Sequence, residues 1–426
     1  MTTDIIIVGA GAAGLIAARE LARNGKKVVI LEARNRIGGR IMPLDADEFG
    51  YTAQGGAEWL HGEAHITKAL IQEAGLTLIP EDGEIWSVRN GDFSLHTSFI
   101  QGNELLEEKL KALQKDISIF DFLEQNFPDE KDAHFRNSII KMVEGYDAAD
   151  PKKISTFVLR DEWLSKPSLT QIANDNRIKE GYGALVDFLE RECRKLGVEI
   201  RLNTRVRKIA LEESGVCVYT EKEELPARQV LVTVPLPLMK EIEFSPEMKD
   251  KIEAVDKIGF GGVIKILIRF KTRWWENATN KDLSRMAFFL SNEKFLTWWT
   301  QYPEITNVLT GWMAGPHTAE YTNASHDQLL DLALISLAHM FMIDKKMIEE
   351  QIVLSRSVNW PQEPFTKGGY SYTTVDTGDA YEILAKPVDN KVFFAGEALY
   401  SGEVTATVEG ALGSGLETAR GMLELL

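Results

Sequence analysis

A run of β-branched residues leads directly into a glycine-rich loop near the start of the chain, and this arrangement constrains the fold more than any other feature. The run is Ile5-Ile6-Ile7-Val8, which is typical of a strand buried on both faces of a parallel sheet. It continues into Gly9-Ala10-Gly11-Ala12-Ala13-Gly14. A helical pattern over 15–24 and a second strand pattern over 27–31 follow. This order predicts the strand–helix–strand unit that binds dinucleotides.

The glycines and the acid of this unit have separate tasks. Gly9 permits the tight turn, Gly11 lets the backbone approach a pyrophosphate, and Gly14 lets the helix pack close to the strand. The unpaired N–H groups at the helix N-terminus suit phosphate. Glu32 ends the second strand, near the expected separation of ~20 residues, and can accept hydrogen bonds from ribose hydroxyls. A carboxylate there disfavours the 2′-phosphate of NADP. The unit alone leaves FAD and NAD as alternatives.

Size and charge narrow the class of protein. At ~150 residues per domain, 426 residues predict two to three domains. The net charge of −16 disfavours nucleic acid and anionic membranes as partners and suits a cationic substrate such as an amine. Cys193 and Cys217 form no C-x-x-C pair, so we expect two buried free thiols.

The chain shows no pattern of a membrane or secreted protein. Its first residues lack the basic region and the cleavage site of a signal peptide. The most apolar stretch, 329–343, is too short and too polar for a span of ~20 residues. We therefore expect a cytoplasmic, soluble protein that is a monomer or a homodimer.

Several later segments resemble the flavin amine oxidase superfamily, which includes monoamine oxidases, polyamine oxidases and flavin-type histone lysine demethylases. These segments are Ala33-Arg34-Asn35-Arg36-Ile37-Gly38-Gly39-Arg40, Gly55-Gly56-Ala57-Glu58-Trp59-Leu60-His61-Gly62, Val392-Phe393-Phe394-Ala395-Gly396-Glu397 and Ala406-Thr407-Val408-Glu409-Gly410-Ala411. The resemblance touches residues 4–62, 200–270 and 356–420. It implies FAD as the cofactor.

The resemblance also implies an α/β fold in two interleaved parts. A Rossmann-like FAD-binding domain with a mostly parallel sheet would consist of residues 1–75, 197–250 and 388–426. An α+β substrate-binding domain would consist of residues 76–196 and 251–387. The expected cofactor-binding residues are Gly9, Gly11, Ala13, Gly14, Glu32, Ala33, Arg34, Gly39, Arg40, Gly56, Ala57, Glu58, Val206, Trp360, Gly396, Glu397, Ala406, Thr407 and Val408.

One lysine stands out in an apolar strand pattern. Residues 259–270 are expected to alternate as a single strand, and Lys265 interrupts its apolar run. A lysine in such a run needs a partner or a function, unless the strand lies at a sheet edge. By the resemblance, Lys265 holds a water near flavin N5, and it is the first catalytic candidate.

Aromatic residues are expected to form the amine site. The segment that begins at Trp360 resembles the one that passes over the substrate face of the flavin, and Tyr370 matches one wall of an aromatic cage. Tyr370 is therefore the second catalytic candidate, and Trp59, His61, Tyr370 and Thr407 are the expected substrate-binding residues. Gly369 stands where monoamine oxidases have the cysteine that bonds the flavin, which implies non-covalent FAD. Thr407 stands in place of the second aromatic wall, which points towards polyamine oxidases or demethylases.

The resemblance implies oxidation of a primary or secondary amine, either a polyamine or an arylalkylamine. A hydride would pass to flavin N5, and O2 would return it as H2O2. Two alternatives stay open: a desaturase of the phytoene or protoporphyrinogen type, and an L-amino-acid oxidase. The latter is disfavoured because no arginine follows Gly56-Ala57 to bind a carboxylate. His61 and His65 are spaced for a metal on a helix, but no third ligand is evident, so no metal is expected.

Overall fold

The computed structural model describes residues 3–96, 104–165, 175–402 and 405–425. The strands are β1 Thr3–Val8, β2 Val28–Leu31, β3 Trp59–Leu60, β4 Leu78–Pro80, β5 Glu84–Arg89, β6 Asp92–His96, β7 Asn176–Ile178, β8 Glu199–Arg201, β9 Val206–Glu212, β10 Gly215–Thr220, β11 Glu224–Val232, β12 Glu243–Ser245, β13 Gly259–Gly261, β14 Val263–Phe270, β15 Met286–Leu290, β16 Thr297–Trp299, β17 Val308–Ala314, β18 Ile352–Asn359, β19 Tyr370–Tyr372 and β20 Val392–Phe394. The α-helices are α1 Ala12–Arg23, α2 Ala46–Phe49, α3 His65–Ala74, α4 Glu104–Ala112, α5 Ile119–Asn126, α6 Ala133–Tyr146, α7 Thr156–Ser165, α8 Gly181–Lys195, α9 Leu236–Met239, α10 Lys249–Lys257, α11 His326–Phe341, α12 Lys345–Glu349, α13 Ala380–Ala385 and α14 Val408–Glu424.

The first large sheet confirms the expected α/β fold. Its order is β12-β9-β10-β11-β1-β2-β8, with β20 also paired to β11. Strand β1 runs parallel to both β2 and β11, as the buried apolar run predicts. Ile5 and Ile7 belong to the core under α1, α3, α8 and α14, whereas Ile6 and Val8 belong to the core on the other face. Helices therefore cover both faces of the sheet at β1.

The second large sheet carries the lysine. Its order is β18-β14-β17-β16-β15-β5-β6, so β14 lies in the interior between β17 and β18. This position excludes an edge-strand lysine. The expectation of one alternating strand over 259–270 was wrong. Strand β13 pairs with β19 in a separate sheet, and the strand is interrupted at Gly262. Strand β14 does not alternate, because all its residues except Arg269 are buried.

Helix α8 packs on α1 and contributes Leu185, Leu189 and Cys193 to the core beneath the first sheet. This helix lies within the segment 76–196 that is expected to belong to the substrate-binding domain. Its packing partner α1 belongs to the dinucleotide-binding unit. The domain boundaries stay a prediction. Within the part of the chain that the structure describes, no helix is both long enough and apolar enough to cross a membrane.

Candidate active site

In the glycine loop between β1 and α1, one glycine has no room for a side chain and another has room. A Cβ atom added to Gly14 would lie 2.0 Å from the main-chain oxygen of Gly9, so helix and loop can approach only with hydrogen at that position. A Cβ atom added to Gly11 would meet nothing within 4 Å. Gly11 therefore leaves space for a ligand, whereas Gly14 serves packing. This division supports the roles predicted for them.

Glu32 is held at the end of β2 by the backbone around it. Its Oε2 accepts a hydrogen bond of 2.8 Å from the Ala10 N–H, and its Oε1 accepts one of 2.9 Å from the Arg34 N–H. The Arg34 guanidinium donates to the Thr366 hydroxyl and lies 5.6 Å over the Phe365 ring. Its Nε is buried and has no partner among the described residues. A carboxylate for ribose and an available guanidinium N–H for phosphate fit an adenine dinucleotide.

Arg40 and Glu397 connect the two ends of the chain beside this loop. Arg40 Nη1 donates to Glu397 Oε1 and to the Gly369 main-chain oxygen, both at 2.8 Å. Ser371 Oγ donates to Glu397 Oε2 at 2.6 Å. Both Glu397 oxygens are therefore engaged within the protein, and the guanidinium of Arg40 is the group of this trio with donors left for a ligand.

A single cavity of about 1790 Å³ connects the glycine loop to the second sheet. Of the residues expected to bind cofactor or substrate or to act in catalysis, all but Gly14 line it. These are Gly9, Gly11, Ala13, Glu32, Ala33, Arg34, Gly39, Arg40, Gly56, Ala57, Glu58, Trp59, His61, Val206, Lys265, Trp360, Tyr370, Gly396, Glu397, Ala406, Thr407 and Val408. The fold thus brings them together, while their individual roles stay predictions.

Lys265 meets a carboxylate at the buried end of this cavity. The lysine side chain is 1% exposed, and its Nζ lies 2.7 Å from Glu58 Oε2 and 3.3 Å from the Gly56 main-chain oxygen. The partner that the sequence pattern demanded is therefore Glu58. The cofactor role expected of Glu58 stays a prediction, and its side chain accepts a hydrogen bond from the lysine.

Aromatic side chains line the cavity around Lys265. The Tyr370 hydroxyl donates to the Tyr146 main-chain oxygen at 2.6 Å, and burial raises the pKa of Tyr370 far above its ordinary value. Trp360 Nε1 donates to the Gly55 oxygen at 3.2 Å, and Trp312 Nε1 donates to the Gly145 oxygen at 2.8 Å. Each ring thus has its polar group tied to the backbone. Neutral, immobilised rings suit an amine that must lose its proton.

Thr407 caps a helix at the same end of the chain. Its hydroxyl accepts a hydrogen bond of 3.0 Å from the Gly410 N–H and begins α14. The threonine that stands in place of the second aromatic wall therefore caps a helix. Trp299 and Trp312, with ring centroids 5.8 Å apart, supply aromatic surface elsewhere in the cavity.

The substrate side of the cavity contains acids that the sequence did not single out. His61 Nδ1 lies 2.9 Å from Asp175 Oδ2, and its ring lies 5.6 Å from that of Tyr146. The main chains of Glu81 and Asp175 are joined by a hydrogen bond of 3.0 Å, and both residues line the cavity. No local motif marks them, because β3, β4 and β7 pair only in the folded chain. Among the described residues, no group of three His, Cys, Asp or Glu could hold a metal.

The profile of the family described as flavin containing amine oxidoreductase matches residues 12–423. Among curated relatives, polyamine oxidase 4 of Oryza sativa subsp. japonica is 28% identical over 98% of this chain and 88% of its own length. Lysine-specific histone demethylase 2 of Homo sapiens is 27% identical over 98% of this chain, which spans 53% of that protein. The Arabidopsis thaliana lysine-specific histone demethylase 1 homolog 3 is 26% identical, and the chain spans 30% of its length.

Solved structures share the whole fold. A putrescine oxidase bound to putrescine matches with a TM-score of 0.82 and 21% identity, over 100% of this chain and 99% of that one. A cyclohexylamine oxidase from Brevibacterium oxydans matches with a TM-score of 0.80 and 20% identity over 100% of this chain.

Proposed function

The chain belongs to the family of flavin-containing amine oxidoreductases, and we propose that it oxidises small aliphatic amines that carry a second cationic group, with non-covalent FAD and O2 as the oxidant. The observation that carries the proposal is the single cavity. One end of it presents Glu32 and the open face of Gly11. The other end presents Lys265 and the aromatic rings. A cofactor held at the first end and an amine at the second would meet in one space.

The aromatic end suits deprotonation of the substrate. An alkylamine of pKa ~10.4 must be neutral to release hydride, and at pH 7 its deprotonation costs roughly 4–5 kcal/mol. Apolar walls lower that cost by desolvating the ammonium form. Lys265 and Glu58 together add no net charge to this region. A bound flavin supplies the hydride acceptor, so the residues of this chain need only bind, orient and desolvate the amine.

Carboxylates close to the aromatic end favour a substrate with a second amine. Tyr370 contacts Tyr146, Tyr146 packs on His61, and His61 bonds Asp175. Glu81 adjoins Asp175 and lines the same cavity. A distal ammonium would gain a charge-assisted hydrogen bond from such acids. The names of the polyamine and putrescine oxidases to which the chain is similar support this substrate class.

The cysteines support a non-covalent cofactor. Cys193 is buried in α8, where its thiol contacts the Leu15 main-chain oxygen at 3.3 Å, and Cys217 is buried in β10. Neither is among the residues that line the cavity. Gly369 stands where monoamine oxidases have the cysteine that bonds the flavin, and its side chain is only a hydrogen atom. We expect acid precipitation to release all flavin into the supernatant, and a yellow pellet would contradict non-covalent binding.

The test compares two amines of equal carbon number. Anaerobic bleaching of the flavin absorbance is measured with putrescine and with butylamine, and then with spermidine, N-acetylspermine, phenylethylamine and tryptamine. A charge-assisted contact predicts a second-order rate constant of flavin reduction about tenfold to a hundredfold higher for putrescine than for butylamine. Equal rates would remove the second cationic group from the proposal. A yellow protein that no amine reduces would contradict amine oxidation by this chain. Where an amine does bleach the flavin, admitting air should yield H2O2 if O2 is the oxidant.

A further inference from the structure

Glu58 has no hydrogen-bonding capacity left for a ligand. Its Oε2 accepts from Lys265 Nζ at 2.7 Å, and its Oε1 accepts from Gln301 Nε2 at 2.8 Å. Trp299 Nε1 lies 3.3 Å from both oxygens. The Glu58 side chain is 5% exposed. Three side chains thus donate hydrogen bonds to its carboxylate, and Lys265 is the one that forms an ion pair with it.

One N–H group of Lys265 has no acceptor among the described residues. An ammonium has three N–H groups. Two acceptors, Glu58 Oε2 and the Gly56 main-chain oxygen, lie within reach of Nζ, and the Trp299 ring lies 5.1 Å away. No third acceptor is found among the described residues. The remaining N–H is therefore available to a water or to a cofactor atom in the cavity that Lys265 lines.

A second layer of contacts fixes Glu58 in place. Arg177 donates to Gln301 Oε1 and, at 2.8 Å, to the Gln301 main-chain oxygen. This bond orients the Gln301 amide with its NH2 group towards Glu58. Arg177 is itself buried, and its guanidinium lies 4.9 Å over the ring of Trp59 in the cavity wall. The layer joins β3, β7, the chain after β16, and β14.

We propose that Glu58 is a positioning residue that keeps Lys265 a cation at a fixed place in the cavity, so that the lysine serves as a permanent positive charge and hydrogen-bond donor and not as a base. The proposal depends on the proposed function only in assuming that Lys265 takes part in the chemistry. Lys265 would not keep its charge in this buried place without Glu58, because an ammonium group loses its hydration there.

The charges around the pair support this role. Burial lowers the pKa of Lys265, and Glu58 partly restores it. Burial pushes the pKa of Glu58 upward, but Lys265 and Arg177 more than offset this, so that it lies below its ordinary value. Tyr51 also faces Glu58, and burial raises the pKa of its hydroxyl well above the ordinary value, so it is neutral. Without the Glu58 charge, burial and Arg177 would both drive Lys265 to lose its proton.

The test is a double-mutant cycle made of Glu58→Gln, Lys265→Met and the two combined. Flavin content, the visible spectrum of the bound flavin, and its rates of reduction and reoxidation are each measured against pH. We expect Glu58→Gln to keep wild-type flavin content and to slow the Lys265-dependent step at least tenfold at pH 7. The rate relative to that of the wild type at the same pH should recover as the pH falls and Lys265 regains its proton. In the Lys265→Met background, Glu58→Gln should change the rate less than twofold.

Two variants serve as controls. Glu58→Asp keeps the charge and should keep the wild-type pH profile at a moderately lower rate. Glu276→Gln breaks a partly buried pair with Arg273, a residue pair that does not line the cavity, and should shift no profile. Loss of flavin from folded Glu58→Gln would overturn the proposal in favour of direct cofactor contact. An equal effect of Glu58→Gln with and without Lys265 would also overturn it.

Failure of the proposed function can be distinguished from failure of this inference. If no amine reduces the flavin, the flavin is reduced with dithionite and its spectrum and reoxidation are followed against pH in the same variants. A pH step that appears in Glu58→Gln and disappears in the double variant still supports the positioning role. If Glu58→Gln does not fold, Glu58→Asp is compared with Lys265→Met, and an altered profile with Asp overturns the proposal.

Discussion

Arg40 and Glu397, which are 357 positions apart in the chain, share a hydrogen bond of 2.8 Å beside the glycine loop. Glu397 is 5% exposed at its side chain, and its other oxygen holds Ser371 at 2.6 Å. The pair therefore joins the segment after β2 to the segment after β20. Strands β2 and β20 run in the same direction in the first sheet, so the contact joins two loops at one edge of that sheet, beside the end of the cavity where we propose that the cofactor binds.

Removing the Glu397 carboxylate should weaken both the fold and the cofactor site. Glu397→Ala removes the acceptor of Ser371 and the charged partner of Arg40, which keeps only the Gly369 oxygen, and the expected loss is about 2–3 kcal/mol of unfolding free energy. Urea unfolding of the flavin-free protein measures the stability, and absorbance after gel filtration measures flavin content. Glu397→Gln keeps an acceptor for Ser371 and should lose less. Unchanged stability and flavin content in Glu397→Ala would show that the pair is dispensable.

Two glycine substitutions should separate packing from ligand approach. Gly14→Ala places a Cβ atom 2.0 Å from the Gly9 oxygen, so we expect a loss of about 1–3 kcal/mol or failure to fold. Gly11→Ala meets no protein atom within 4 Å, and its φ of −78° suits alanine. The flavin-free Gly11→Ala protein should be as stable as the wild type within about 0.5 kcal/mol and yet bind FAD poorly. Normal FAD affinity in Gly11→Ala would contradict the backbone approach to a pyrophosphate.

The sequence predicted those parts of the site whose signals are local. The order of strand, glycines, helix and acid fixes the surroundings of Gly11 and Glu32 within about 30 residues, and the structure has this unit as expected. The lysine was found because a buried cation in an apolar run is improbable without a partner. The identity of that partner was not predictable, since Glu58 precedes β3, lies 207 positions from Lys265 and meets it only through tertiary packing.

Thr407 has a structural role beside its expected place in the substrate site, which stays a prediction. A threonine before a helical pattern is a common helix N-cap, and the structure uses it so. Glu397 and Glu58 are expected at the cofactor, a role that stays a prediction, and the structure shows that both carboxylates are paired with protein cations. Such pairs join residues far apart in the sequence, so no local pattern reveals them.

A buried lysine far from the cavity should contribute strongly to stability. Lys251 on α10 is 2% exposed, and its Nζ donates to the main-chain oxygens of Ile383, Leu384 and Lys386 at the end of α13. Lys251→Met removes all three donors and should cost about 2–4 kcal/mol in urea unfolding.

A second lysine of the same helix provides the control for Lys251. Lys257 lies 3.8 Å from Asp379 on the surface, and both side chains are exposed. Lys257→Met should therefore cost no more than about 1 kcal/mol. Equal losses from Lys251→Met and Lys257→Met would show that the carbonyls at the end of α13 find other partners.

Glu81 should make amine binding depend on pH near neutrality. Burial raises the pKa of Glu81 to about 7, with further upward contributions from Asp82 and Asp175 and an opposing one from Arg177. Below this pH the carboxyl is neutral, and above it the carboxylate can attract a distal ammonium. The KM for putrescine should therefore fall as the pH rises through about 7, whereas the KM for butylamine should lack this step. Steady-state kinetics between about pH 6 and 8 measure both.

Glu81→Gln is the control, and the dependence of stability on pH reports the same titration independently. Because the folded-state pKa is raised, the stabilising neutral form is fully present below the unfolded value of 4.5 and is lost as the pH rises to about 7. The unfolding free energy of the wild type should thus decline over this interval relative to that of Glu81→Gln. The same variant should abolish the pH step in the putrescine KM and leave butylamine unaffected. A step that persists in Glu81→Gln would assign it to another group, of which Asp175 is the adjacent one.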